Sequence, residues 1–228
     1  DWVVEVIIEQ WEPKKALMAE LEKVVKPTAI VTSNTSGIPI SQIVEDCSDE
    51  FKARFLGTHF FNPPRYLKLL EIIPTDYTDQ DVVDFMVDFG THTLGKGVVV
   101  CKDTPNFIAN RFIAVAGNYG VKLAVDMGLN VPEVDSLTGP LIGRPKTATF
   151  RLTDLVGLDI MVHVNGNLYP AIPHDKYRDL LVAEEVTSIN DTMMANKWLG
   201  NKTGQGFMKK KTVDGKREFW WLDLETLE

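Results

Sequence analysis

The chain has 228 residues, enough for one large domain or two small ones, and 44% of them are hydrophobic, which suffices for a core. A formal net charge of −8 disfavours a surface for nucleic acid or anionic membrane, and no apolar run reaches membrane-spanning length. Cys47 and Cys101 sit in unrelated contexts, which gives neither a disulfide framework nor a metal site and fits a reducing cytoplasm.

Asp1 to Ile8 reads as an apolar strand, at about 2–8, that opens in mid-fold with no initiating Met and no signal peptide, so the sequence is expected to be a piece of something longer. Glu12 to Val25 reads as a helix with Pro13 in its first turn and Leu17, Leu21, Val24 and Val25 at helical spacing, ended by Lys26-Pro27. Strands at about 29–33, 55–61, 67–73 and 97–101, interleaved with helices at about 39–46 and 79–93, make an α/β unit. In the last of these helices Thr78 with Asp81 resembles a capping box, and Val82, Phe85, Met86 and Phe89 are predicted as the buried stripe.

After Pro105 the period turns helical. One long helix is predicted from Phe107 to Met127, closed by Gly128, and a short one begins at Val131-Pro132. Two further helical regions run over Thr147 to about Leu168 and Val182 to Trp198. Lys209 to Arg217 is polar and turn-rich, and Glu218 to Glu228 reads as a short strand and the start of a linker. The fold class is therefore α/β followed by all-α, with a first domain over 1–103, a helical one over 104–208 and an extension over 209–228.

The candidate chemistry lies where two extended segments flank Asn62-Pro63-Pro64-Arg65, a turn that could bring His59 and Glu71 together at one end of adjacent strands. A carboxylate on one imidazole nitrogen fixes the tautomer and favours the imidazolium, leaving the other nitrogen to take a proton from a hydroxyl. The same residues also read as a His at a strand end and a Glu on a sheet edge. Ser36 follows a buried strand, where Ser commonly makes turns and caps, and Asn110 falls one turn into the long helix, ordinarily an exposed position. His163 reads as a packing residue, His92 as a helix end and His174 as a loop, and no cluster has metal-ligand spacing.

Three ordered blocks carry a resemblance. Ser33-Asn34-Thr35-Ser36-Gly37, the segment around His59, and Lys102-Asp103-Thr104-Pro105-Asn106-Phe107-Ile108-Ala109-Asn110-Arg111 resemble the signature of the 3-hydroxyacyl-CoA dehydrogenase family, from Asp1 to about Phe207. Arg65 to Pro74 and Thr138 to Lys146 are similar to the dehydrogenase part of fused 3-hydroxyacyl-CoA dehydrogenase/enoyl-CoA hydratase polypeptides of bacterial fatty-acid β-oxidation. The resemblance implies oxidation of L-3-hydroxyacyl-CoA to 3-oxoacyl-CoA with NAD, in the cytoplasm, by a homodimer paired through the helical half. It also implies a hydratase domain after this chain.

By the same resemblance His59 is the base, oriented by Glu71, with Ser36 and Asn110 on the substrate's 3-oxygen. Glu9, Lys14, Asn34, Asn62 and Lys202 then contact the cofactor, with Gln10 where the family often has Asn and Asn106 where most of it has Gly. Lys202, in Asn201-Lys202-Thr203-Gly204-Gln205-Gly206-Phe207, reads equally as part of a glycine-rich turn. No G-x-G-x-x-G turn occurs in the 228 residues, so the first domain is expected to be the C-terminal portion of an NAD-binding Rossmann-like domain whose N-terminal half is missing. The competing class is a non-catalytic assembly domain of a larger protein. A related β-hydroxyacid dehydrogenase would place a catalytic Lys on a helix, and the His-bearing strand argues against it.

Overall fold

The structure, a computed structural model, describes all 228 residues. Two compact units divide the chain, Asp1–Arg111 and Phe112–Glu228. In the first, β1 (Trp2–Glu5), β2 (Ile30–Ser33), β3 (Phe55–Phe60), β4 (Leu69–Pro74) and β5 (Gly97–Val100) lie side by side in sequence order. β1, β2 and β3 are parallel, β4 runs antiparallel to β3, and β5 is parallel to β4. The helices α1 (Trp11–Val24), α2 (Ile40–Ile43), α3 (Asp49–Lys52) and α4 (Gln80–Asp88) supply the crossovers.

The period-2 alternation of the strands sorts side chains onto two buried faces. Val3, Val31, Phe55 and Ile73 pack with Met18, Ile40, Ile43 and Phe51 from α1 to α3. Trp2, Ile30, Leu56, Leu70, Ile72 and Val98 pack instead with Val83 and Met86 of α4.

Several expected boundaries move, each for a local reason. The first strand ends at Glu5 rather than Ile8, because its partner β2 ends at Ser33 and the Ile7 N–H turns to the Glu5 carboxylate. The stripe of α4 is rotated from the one expected: Val83 and Met86 are buried, whereas Phe85 is 53% exposed and stacks on Phe89. Thr78 does not cap this helix. Its hydroxyl donates to the Phe55 carbonyl and accepts from the Thr75 N–H, and Asp79 stands at the N-cap without a side-chain bond.

The second unit is largely helical. α5 (Ala109–Asp126) begins in the first unit, and α6 (Val131–Leu137), α7 (Phe150–Val156), α8 (Leu158–Ala171) and α9 (Glu184–Ala195) follow. A capping box of Asn130 and Glu133 starts α6. The single helical region expected over 147–168 is two helices, broken at Gly157, whose φ of 109° no helix admits. Val131, Val134, Phe150, Leu158, Ile189 and Met193 form its main core.

The unit is not wholly helical. The segment expected to be polar turn is most of a hairpin, β6 (Met208–Val213) with β7 (Lys216–Trp221). Asp214 and Gly215, at φ of 51° and 75°, make the two-residue turn that matches the strands' twist. No helix is long and apolar enough to cross a membrane.

Candidate active site

Parallel β1, β2 and β3 bring their carboxyl ends to one rim of the sheet, the edge at which α/β folds receive ligands. His59 lies at the end of β3. The antiparallel register sets Glu71 of β4 directly opposite it, so two residues twelve apart become a cross-strand pair. Both are nearly sealed from solvent, at 3% and 1% exposure.

The Glu71 carboxylate serves two partners. Oε2 lies 2.7 Å from His59 Nδ1, and Oε1 accepts the N–H groups of Ile108 and Ala109 at 3.1 and 2.8 Å. Those amides are orphan donors at the start of the 18-residue α5, where a negative charge is also favoured by the helix dipole. Burial pushes the Glu71 carboxyl up, but the bond from His59, the two amides and the imidazole's charge outweigh it and hold the group below its usual range. An ionised carboxylate only accepts, so Nδ1 carries the proton and donates. In the neutral ring Nε2 is then the open acceptor, 3.0 Å from the Ser36 hydroxyl. Phe61 and Phe107 close on the imidazole with ring centroids at 4.5 and 5.6 Å.

The backbone before α5 is shaped to make this possible. Asn106 and Phe107 both adopt left-handed conformations, at φ of 57° and 48°. Asn tolerates that region, which accounts physically for a position where glycine would also serve. Asp103 pins the other end of the loop, accepting the Ile40 N–H at 2.7 Å and the Ser41 N–H at 2.9 Å. A Cβ on Gly37 would stand 2.9 Å from Asn106 Oδ1, so a larger residue there would oblige the Asn106 side chain to shift.

Around this pair the structure gathers most of the residues singled out from the sequence. Asn110 Nδ2 lies 3.5 Å from the Ser36 carbonyl. Asn34 accepts the Phe60 N–H at 2.9 Å, tying the ends of β2 and β3, and Asn62 is exposed just beyond β3. Glu9 Oε1 accepts the Thr35 hydroxyl and the N–H groups of Ser36 and Gly37, at 3.0 and 3.1 Å for the amides. Burial again raises this carboxyl; those bonds and the Lys14 charge together bring it below its usual range.

Lys14 is placed differently from an open ligand contact. It is 1% exposed, with its ammonium 2.8 Å from Glu5 and 3.3 Å from Glu9. Lys202 belongs to the second unit, where it pairs with Asp159 beside Gly157. Its glycine-rich segment is shaped by packing: a Cβ on Gly206 would stand 1.9 Å from Asp154 Oδ1, and one on Gly200 2.4 Å from the Asp154 carbonyl. Asp154 accepts the N–H groups of Phe207 and Met208, both at 2.8 Å.

Sequence reasoning passed over Glu5, Thr35 and Asp103. The signal for Glu5 was present, a carboxylate inside the apolar run Val3-Val4-Glu5-Val6-Ile7, where burial demands a partner. Asp103 gave no such signal, since its amide partners lie more than sixty positions earlier.

A parallel-dominated α/β sheet, followed along the chain by a largely helical unit, and a buried His–carboxylate pair at the rim of that sheet define a Rossmann-like architecture. Residues 1–104 match the NAD binding domain of 3-hydroxyacyl-CoA dehydrogenase and residues 107–210 match its C-terminal domain. The chain is 51% identical over 215 residues to a probable 3-hydroxyacyl-CoA dehydrogenase of Bacillus subtilis, covering 92% of this chain and 26% of that protein. It is 37% identical over 218 residues to a putative fatty acid oxidation complex trifunctional enzyme of Rickettsia felis, covering 95% of this chain and 30% of the other. Among solved structures, M. tuberculosis FadB2 superposes with a TM-score of 0.73 at 30% identity, over 90% of this chain and 69% of that one. The chain belongs to the 3-hydroxyacyl-CoA dehydrogenase family. It spans only about a quarter to a third of the length of the two curated relatives described.

Proposed function

We propose that the protein carrying this chain oxidises the 3-hydroxyl of an acyl-CoA thioester to a ketone with NAD, as a step of fatty-acid β-oxidation. The observation that carries the reading is the line Ser36 Oγ, His59 Nε2, His59 Nδ1, Glu71 Oε2, with links of 3.0 and 2.7 Å. NAD fits the residues present: the carboxyl ends of three parallel strands present Glu9, Asn34 and Asn62 on one rim. When bound, it supplies the hydride acceptor.

The chain's own part is positioning and proton transfer. His59 Nε2 takes the substrate's hydroxyl proton, and Glu71 balances the charge the imidazole gains. The Ser36 hydroxyl and the Asn110 amide hold the 3-oxygen as it becomes a carbonyl. Glu9, Asn34 and Asn62 serve the nicotinamide and ribose side. In this geometry Lys14 acts through Glu9. Lys202, paired with Asp159, takes its assignment to the cofactor from the family resemblance alone.

The same reading includes a homodimer paired through the helical unit, whose Phe112, Tyr119, Leu155 and Ile160 are each more than 45% exposed. It includes a cytoplasmic location, with both cysteines unpaired and buried, and a fused hydratase domain, in keeping with the trifunctional name of the Rickettsia relative. The domain division over 1–103, 104–208 and 209–228 belongs to it as well. The test is NADH formation by the protein that carries this chain. Turnover is expected with a 3-hydroxyacyl-CoA and not with the free 3-hydroxy acid; folded protein inert toward the thioester would overturn the reading in favour of an assembly domain.

A further inference from the structure

Glu5 ends β1 with its side chain buried, 3% exposed, directly opposite Ser33 of β2. Its Oε1 accepts from the Lys14 ammonium at 2.8 Å and the Ile7 N–H at 2.6 Å. Oε2 accepts from the same ammonium at 3.0 Å and from the Ser33 hydroxyl. Every lone-pair direction of this carboxylate is thus spoken for.

Lys14 is shared. Its ammonium also lies 3.3 Å from Glu9 Oε2 and 3.3 Å from the Ile7 carbonyl, so one cation bridges two carboxylates. The two carboxylates grip the same loop from opposite ends. Glu5 takes the Ser33 hydroxyl, whose oxygen in turn accepts the Thr35 N–H at 3.2 Å. Glu9 takes Thr35, Ser36 and Gly37. Within the Glu9 grip stands Ser36, whose hydroxyl is 3.0 Å from His59 Nε2.

We infer that Glu5 is a positioning residue: with Lys14 and Glu9 it fixes the Ser33–Gly37 loop and so determines where the Ser36 hydroxyl meets His59. This rests on the dehydrogenase reading only for its catalytic meaning. Stability alone would not require the arrangement, because a buried ion pair is commonly replaceable by apolar residues without loss. What an apolar pair cannot do is hold Glu9 at a fixed angle and Ser33 at a fixed distance. Removing the Glu5 charge leaves the ammonium to Glu9 alone, and the clamp on the Ser36 and Gly37 amides shifts with it.

The experiment is Glu5→Gln in the whole chain, read by nitrogen-15 NMR of the His59 ring. The expected result is a ring that keeps Nδ1–H toward Glu71 while the Nε2 signal moves downfield, as for an acceptor that has lost its hydroxyl partner. An unmoved Nε2 signal in folded protein would overturn the inference. If Glu5→Gln does not fold, the charge-balanced pair Glu5→Gln with Lys14→Met restores folding on a purely structural account. On ours that double variant folds but still shows the moved Nε2 signal, and a wild-type signal in it would equally sink the idea. In turnover of the whole protein, Glu5→Gln should lower kcat with little change in KM for the thioester. Failure of the dehydrogenase reading would appear as no turnover in either protein, while the ring signal still decides the role of Glu5.

Discussion

Glu71 of the first unit and Asp154 of the second are both buried carboxylates that accept two backbone N–H groups, yet they settle on opposite sides of their ordinary acidity. Glu71 takes Ile108 and Ala109 and is held low; Asp154 takes Phe207 and Met208 and is pushed up to about 6. Burial raises both. Two amides are not enough to offset it at Asp154, where the nearby Asp135 adds a like charge. At Glu71 the His59 ring adds a third hydrogen bond, the largest of the influences that hold this acid low. Two amides alone therefore do not keep a buried acid ionised; the third neighbour decides, a donor at Glu71 and a like charge at Asp154.

The largest expected effect comes from removing that neighbour. His59→Ala should lower kcat by at least about a hundredfold, the lower scale for losing a general base. It should also raise the Glu71 pKa, making this carboxylate resemble Asp154. Steady-state kinetics and a carbon-13 titration of Glu71 read the two consequences, and near-normal turnover would remove His59 from the mechanism.

A smaller break is available at the other carboxylate. In Gly206→Ala the new methyl group meets the Asp154 carboxylate at once, so the second unit should lose about 3 kcal/mol, the upper range for overpacking. Denaturant unfolding monitored through Trp198 checks it. A loss below about 1 kcal/mol would mean that the glycine is not there for Asp154.

The comparison sharpens as a contrast in pH. Asp154 has a folded pKa of about 6 against an ordinary 3.8, so its protonated form stabilises the fold fully below 3.8, and that contribution is lost as pH rises through 6. Glu71 is lowered from 4.5, so its contribution is present above 4.5 and lost as pH falls through the folded value. Asp154→Asn should remove a stability change on the order of 2 kcal/mol between pH 4 and 6, while Glu71→Gln should flatten the acid limb below 4.5. Equal pH dependence in wild type and Asp154→Asn would show that the two acids do not differ as described.

Much of the first unit was legible because its signals are local. The turn Asn62-Pro63-Pro64-Arg65 between two apolar segments announces an adjacent pair of strands that could bring His59 and Glu71 together, while the exact register that sets them opposite comes from the fold. The hairpin turn was equally legible in principle: Asp214-Gly215 is a strong two-residue signal, obscured by the Lys-rich strand before it. What the sequence hides is side chain to backbone bonding over long separations. Asp103 to Ile40, Glu71 to Ala109 and Asp154 to Phe207 each join elements whose meeting is decided by the tertiary fold, and no periodicity encodes them. The rotated stripe of α4 has a similar origin, since Val83 or Phe85 could face inward until packing against Leu70 and Ile72 chooses.

The few residues from Asp103 to Phe107 look like a spacer between β5 and α5, and spacers ordinarily tolerate insertion. This one is closer to a gauge block. At one end Asp103 grips the start of α2, in its middle two left-handed residues set the pitch, and at its far end two amides must reach Glu71. One residue more or fewer would leave every side chain chemically intact and yet take the helix out of step with Glu71 and His59, so this stretch is constrained in length as tightly as that pair is in identity.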